Sequence, residues 1–458
     1  MDVIYKGLWF LPSSKSFPNG LISVDKDKCL EGTLTINEEG FYTLETLGNF
    51  PDVIEQPFVI NGNSTDGKAI TLFDCYDFKG PFNSSALVNQ NKYIANYVTI
   101  TKNQTKKAYF NSINEIKISK FYFNSHNFSS WLWNNNFIFD KPSKGRSGKT
   151  ISIKYRIPKK DKGVEIKKDF RIRILTYPVI SGHEMATTKR DISERNYVLI
   201  SGKNIKIDNA LEAMHKFLDF LTVAIGETQT HQEVIFFNQG IRYEYYFNSS
   251  KKGEKRKIYP PHMFFNYHMI KDRWNDILIR WFDTYENMID IFRLFFSLCN
   301  NRVIYLEQKF LFLVQFLESF HRKINPVNEE KINDWKELLE KSFSNEISKD
   351  EIKDLKGKLK YGYEPSLEAR LNDLFKSSNI TKKILNEKKY TIFSKKVSET
   401  RNYRTHLGTK TENVIDDSKE LLKVCNILDR LARYNILKIM GFTDEQVAEI
   451  MKLHLWVG

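Results

Sequence analysis

Fourteen residues near the C-terminal end carry the most direct chemistry in the chain: Lys395-Lys396-Val397-Ser398-Glu399-Thr400-Arg401-Asn402-Tyr403-Arg404-Thr405-His406-Leu407-Gly408. Arg401 is a permanent cation suited to a phosphate. Asn402 offers an amide, and His406 exchanges a proton near neutral pH. Together these are the groups needed to move a proton while charge builds on a phosphorus centre. Asn402 and His406 stand four residues apart and share a face if the segment is helical. Arg401 lies five residues before His406, about 140° round an ideal helix. The arginine and histidine meet one ligand only if the helix ends nearby or a second chain contributes. Gly408 reads as the stop. The plainer alternative is a solvated helix end whose cations complement the helix dipole.

The remaining chain must supply the scaffold. It has 458 residues, enough for two or three domains, and 41% hydrophobic with 14% aromatic content implies a packed core. Lys and Arg number 70 against 56 Asp and Glu, a net charge of +14 that favours a polyanionic partner, above all nucleic acid. The excess sits in the middle, where residues 151–281 carry 24 basic and 15 acidic groups. Cys29, Cys75, Cys299 and Cys425 are spaced neither as metal pairs nor as a disulfide framework. They read as reduced thiols of a cytoplasmic protein. The opening Met1-Asp2-Val3-Ile4-Tyr5-Lys6 does not read as a signal peptide, since it lacks the charged and apolar regions of one. The apolar runs Phe292–Cys299 and Phe310–Leu317 are too short to span a bilayer, so no membrane is expected. No Gly-rich phosphate loop or repeat is present, and neither cofactor nor metal is expected.

Residues 1–180 read as β-rich. Thr33–Ile36 and Gly40–Leu44 form a candidate hairpin, followed by strand candidates Ala69–Cys75, Tyr93–Ile100, Lys117–Phe123, Thr150–Ile157 and Asp169–Leu175. Many short strands predict a sandwich or barrel. Lys154, Arg156, Lys159, Lys160, Arg171 and Arg173 concentrate charge there, either as a solvated edge hairpin or as an RNA-contacting patch. Trp131 and Trp133 are expected in the core. Asp208 begins a helix to about Ile225, and Val234–Phe237 with Ile241–Phe247 forms a hairpin across Asn238-Gln239-Gly240. Beyond Trp281 the chain reads as nearly all helix. The expected division is a β-rich sensor or regulatory domain over 1–200, a mixed α/β connection with a basic loop over 201–281, and a helical domain over 282–458, an α+β chain.

One longer pattern bears on the C-terminal motif. Gln315-Phe316-Leu317-Glu318-Ser319-Phe320-His321-Arg322 ends a helix, and Val397–His406 follows about 75 residues later. This arrangement resembles the HEPN domain of the ApeA anti-phage defence family, whose ribonucleases carry Arg, a polar residue and a following His. The opening Tyr5-Lys6-Gly7-Leu8-Trp9-Phe10-Leu11-Pro12 resembles the start of the ApeA N-terminal domain. The resemblance implies a helical bundle that dimerises and joins two Arg/His sets in one cleft. It implies metal-independent RNA cleavage in abortive infection, with Arg401, Asn402 and His406 as site residues, transfer RNA among the candidate targets and a phage-derived trigger. Glu318, His321 and Arg322 fall in the matching stretch, with Glu318 expected to hold Arg401 or His406. A non-catalytic RNA- or nucleotide-binding module and a phage-sensing interaction scaffold are the competing expectations.

Overall fold

The computed structural model describes residues 2–16, 23–37, 40–50, 56–78, 90–103, 105, 108–134, 136–139, 153–158, 162–167, 170–181, 191–247, 256–300, 304–342, 348–378 and 387–452. The chain divides into two compact units, Met1–Asn275 and Asp276–Gly458.

The first unit is built on one antiparallel sheet of thirteen strands among the described residues. In chain order these are β1 (Val3–Phe10), β2 (Cys29–Ile36), β3 (Tyr42–Leu47), β4 (Phe58–Ser64), β5 (Ala69–Asp77), β6 (Gln90–Ala95), β7 (Tyr97–Thr101), β8 (Lys117–Ser125), β9 (Val164–Lys167), β10 (Phe170–Ser181), β11 (Asp191–Lys206), β12 (His231–Asn238) and β13 (Ile241–Phe247). Six of them, in the order β5-β4-β1-β2-β3-β6, close into a barrel where Tyr76 pairs with Ile94 and Asp77 with Tyr93. Trp9, Leu34, Leu44, Ile60 and Leu72 fill its interior without solvent contact. Gly62 is required there, because a Cβ at that position would lie 2.3 Å from the Trp9 ring.

The other strands continue from β5 as an open sheet, β7-β13-β12-β8-β11-β10-β9. Helix α1 (Ile207–Ile225) covers one face of it, seen in the 5.7 Å edge contact of Phe123 with Phe217. Gly226, at φ 88°, ends α1 in the left-handed conformation that glycine adopts without strain. Gln239 and Gly240, at φ 49° and 84°, make the expected tight turn between β12 and β13.

Several strand expectations change. Tyr93–Ile100 is two strands, β6 and β7, and β1, β4, β9 and β11 are additional. The basic segment is not one hairpin: Ile153–Tyr155 pairs with Phe137–Phe139, whereas β10 pairs with β9 and β11. Trp131 is buried as expected, but Trp133 is 54% exposed. It caps a single helical turn at φ 47°, which swings its ring out of the core.

The second unit is helical, so the architecture is a β-rich region followed by an all-α region. Its helices are α2 (Trp274–Asn300, which starts two residues before the division), α3 (Leu306–Ile324), α4 (Glu329–Lys341), α5 (Lys349–Leu359), α6 (Leu367–Ser377), α7 (Glu387–His406), α8 (Ser418–Ile439) and α9 (Asp444–Lys452). Helix α3 packs against α6, α7 and α8. Phe310, Leu313, Val314 and Leu317 form its inner stripe, and Leu421, Cys425 and Leu428 form that of α8. No helix of the described residues is long and apolar enough to cross a membrane.

Candidate functional site on helices α3 and α7

The motif occupies the last turns of α7. The buried Thr400 hydroxyl accepts the Ile415 amide at 3.0 Å, and Arg404 donates to the Ile415 carbonyl at 3.1 Å. Arg404 also faces Glu307 at 3.7 Å. These contacts fold the segment after the helix back onto α7. Glu399 adds bonds from Thr411 and Asn413, which hold its carboxyl below the usual range. The helix does not stop at Gly408 as the sequence predicts. It stops after His406, where Leu407 is left-handed at φ 49° and its amide donates to the Tyr403 carbonyl at 2.7 Å.

Arg401 turns inward from this helix. One guanidinium nitrogen donates to Glu318 on α3 at 3.0 Å and another to the neighbouring Asn402 at 3.1 Å. Asn402 and His406 are both exposed. With α7 helical through His406, Asn402 and His406 share a face and Arg401 lies round toward α3. One chain therefore presents the cation and the imidazole in different directions.

The three residues of α3 have distinct positions. Glu318 bonds Arg401 and also faces Arg322 at 3.6 Å. Arg322 in turn donates to Glu364 at 3.0 Å. Glu364 also accepts from Arg370 at 2.8 Å, and Arg370 is almost wholly buried. His321 is buried away from Arg401. Arg370 approaches its Nδ1 at 3.3 Å and Asp373 its Nε2 at 3.3 Å. A guanidinium only donates, so Nδ1 accepts and the proton sits on Nε2, directed at Asp373. Burial pushes the His321 imidazole down; the Asp373 bond opposes that shift, and the Arg370 cation reinforces it. His321 is thus a neutral link behind the surface site.

A continuous polar chain results: Asn402, Arg401, Glu318, Arg322, Glu364, Arg370, His321 and Asp373. Sequence reading missed Glu364, Arg370 and Asp373. Arg370 had one available signal, since it occupies an apolar-stripe position on α6 between Leu367 and Leu374. A charge at a core position needs partners.

The basic candidates of the first unit separate. Arg171 and Arg173 lie on β10, with Arg171 bonded to Glu165 at 3.1 Å. Lys154 and Arg156 belong to the small ribbon, which Asn136 ties to Glu194 at 2.7 Å. Lys159 and Lys160 lie outside the described residues. Among the described residues, no group of three or more His, Cys, Asp or Glu is placed to hold a metal ion.

Two family models match the chain. One, described as ApeA N-terminal domain 1, covers residues 4–281, and the other, described as Apea-like HEPN, covers residues 311–446. No curated protein and no solved structure matches.

Proposed function

The chain belongs to the ApeA family, HEPN-type proteins of anti-phage defence, and on that premise we propose that it is an abortive-infection ribonuclease whose site is built from Arg401, Asn402 and His406 of two chains. The observation that carries this reading is the ion pair of Arg401 with Glu318 beside an exposed His406 at a helix end. It is an anchored cation on the same helix end as an exposed imidazole. A solvated helix end would need no such anchor.

The chemistry is transesterification within RNA. One histidine takes the proton from a ribose 2′-hydroxyl, whose oxygen attacks the adjacent phosphorus. The bond from phosphorus to the 5′-oxygen breaks, and a second histidine returns a proton to that oxygen. The products are a 2′,3′-cyclic phosphate and a 5′-hydroxyl. Each chain offers one motif histidine, so a homodimer supplies both roles. Arg401 stabilises the charge on the phosphorane oxygens, and Asn402 orients the phosphate. The angular separation of Arg401 and His406 on α7 favours a composite site, in which the histidine of one chain works beside the arginine of the other. Transfer RNA is the candidate target carried by family analogy.

The test is cleavage of an RNA substrate by the full-length protein and by His406→Ala and Arg401→Ala. Loss of general acid–base catalysis costs about 10²–10⁴-fold. Cleavage at wild-type rate by both folded variants would remove the assignment. We further propose that the β-rich unit restrains the nuclease until a phage-derived trigger arrives. Expression of residues 276–458 alone should then be more toxic than the full chain, and equal toxicity from a folded, dimeric fragment would end that proposal.

A further inference from the structure

The open sheet has two unlike faces. Alternate residues Ile172, Val198, Ile200, Phe121, Phe123 and Phe236 are closed off from solvent on the face that α1 covers. The opposite face carries an aromatic row across four neighbouring strands: Tyr177 on β10, Tyr197 on β11, Tyr122 on β8 and Phe237 on β12. Their ring centroids are 6.5, 6.3 and 5.8 Å apart in turn. Tyr177 is 43% exposed, and Tyr122 and Phe237 are half-buried. Tyr197 is buried, and it braces the row from beneath by donating to Glu233 at 2.7 Å.

Cations flank the rings. The Lys120 ammonium lies 5.9 Å from the centre of the Phe237 ring and is otherwise open to solvent. Arg173 is paired in register with Leu199, which is paired with Tyr122, so the guanidinium stands beside the row. Its Nε–H is buried and has no hydrogen-bond partner among the described residues, which leaves the terminal nitrogens to meet a ligand. Among the described side chains, the carboxylates of this face are engaged: Glu165 by Arg171 at 3.1 Å, Glu244 by Arg242 at 3.0 Å, and Glu233 by Tyr197.

We propose that this face binds single-stranded RNA, with bases on the Tyr177, Tyr122 and Phe237 rings and phosphates at Lys120 and Arg173. Rings accept the faces of unpaired bases whatever their sequence, and flanking cations follow the backbone. A duplex hides its base faces in its own stack, so it gains only the charge. An acidic peptide would use the cations and leave the rings idle. The choice of RNA over DNA rests on the proposed ribonuclease function; the choice of a single-stranded polynucleotide does not.

The experiment is fluorescence anisotropy of the full-length protein with a labelled 2′-O-methyl oligouridylate of about 12 nucleotides, within the span of such platforms. Methylation removes the attacking hydroxyl, so the result does not depend on cleavage. The single strand should bind about ten-fold or more tighter than a 2′-O-methyl duplex of the same length, and at least as tightly as the matching DNA strand. Tyr177→Ala should weaken binding about five-fold or more, the lower end of base stacking. Lys120→Gln with Arg173→Gln should reduce the slope of log affinity against log salt by about 1.4, two phosphate contacts at ~0.7 each. Tyr177 and Lys120 are exposed, so their single substitutions keep the test usable if the Arg173 variant misfolds. Duplex binding equal to the single strand, or wild-type affinity in Tyr177→Ala and Lys120→Gln, would overturn the proposal. A clear preference for DNA would overturn the choice of RNA. Survival of cleavage in His406→Ala would count against the proposed catalytic role of His406 alone.

Discussion

Replacing Glu318 by Gln keeps the shape of the side chain and removes its charge. In the native protein the carboxylate lies 3.0 Å from Arg401 and 3.6 Å from Arg322. A unit-charge pair at the shorter distance has a gross attraction of about 5.5 kcal/mol at an effective dielectric near 20. Solvent removes most of it, because the Arg401 side chain is 32% exposed and that of Glu318 is 17% exposed. A net value of about 1.5 kcal/mol is appropriate to a partly exposed, charge-assisted bond. If that energy holds the guanidinium in position, Glu318→Gln should slow RNA cleavage about ten-fold, since 1.4 kcal/mol is a factor of ten. Removing the cation itself, as in Arg401→Ala, should cost about 10²–10³-fold. The decisive measurement is the double-mutant cycle on kcat and KM. Glu318 acts through Arg401, so Glu318→Gln should add nothing in the Arg401→Ala background. The expected loss in Glu318→Gln is in kcat, with the protein folded and RNA affinity little changed. Independent, additive losses would refute the positioning role. Faster cleavage by Glu318→Gln would show that the carboxylate restrains the arginine.

Two further outcomes follow from buried groups. Arg370→Met leaves the Pro365 carbonyl and His321 Nδ1 without their donor, while Glu364 keeps Arg322. It should lower stability by about 3 kcal/mol in urea unfolding, the low end for breaking a buried ionic cluster; a loss under about 1 kcal/mol would mean the cluster is not structural. His231 on β12 is stacked on Phe247 at 4.2 Å, and burial, aided by nearby His215, pushes its imidazole down to about 4. Its ordinary value is near 6.5, so the unfolded chain binds the proton first as pH falls. Stability is therefore intact above pH ~6.5, declines below it and reaches a loss of about 2 kcal/mol at pH ~5. His231→Gln should flatten that difference between urea unfolding at neutral and acidic pH, and an unchanged pH slope would exclude His231 as its source.

The motif was legible because it is local: Arg401, Asn402 and His406 declare their chemistry by type and spacing within one helix. Glu318 was legible only through the longer pattern with α3. Glu364 and Asp373 were not, because each is an ordinary exposed-looking acid in sequence and becomes specific only when α6 packs on α3. Barrel or sandwich stayed open for a similar reason. Closure depends on the pairing of Tyr76 with Ile94, a contact without any signature in either strand. Strand β4 was hidden by Asn61-Gly62-Asn63, which reads as a turn; packing against Trp9 decides otherwise. Gly408 drew the helix stop one residue too far, since Leu407 adopts the left-handed conformation despite its side chain.

Strand β5 has one further consequence. One of its edges is divided: Ala69–Phe73 pair with β7 and open the sheet, whereas Tyr76–Asp77 pair with β6 and close the barrel. The changeover is at Asp74, left-handed at φ 50°, where the register against β4 also shifts. The same backbone is thus a wall of both structures, and neither can lose it alone. Amide exchange should report a single cooperative opening for barrel and open sheet, with the β5 amides among the slowest in both. A strain applied at the open sheet therefore reaches the barrel directly along β5, whose change of partner lies at Asp74.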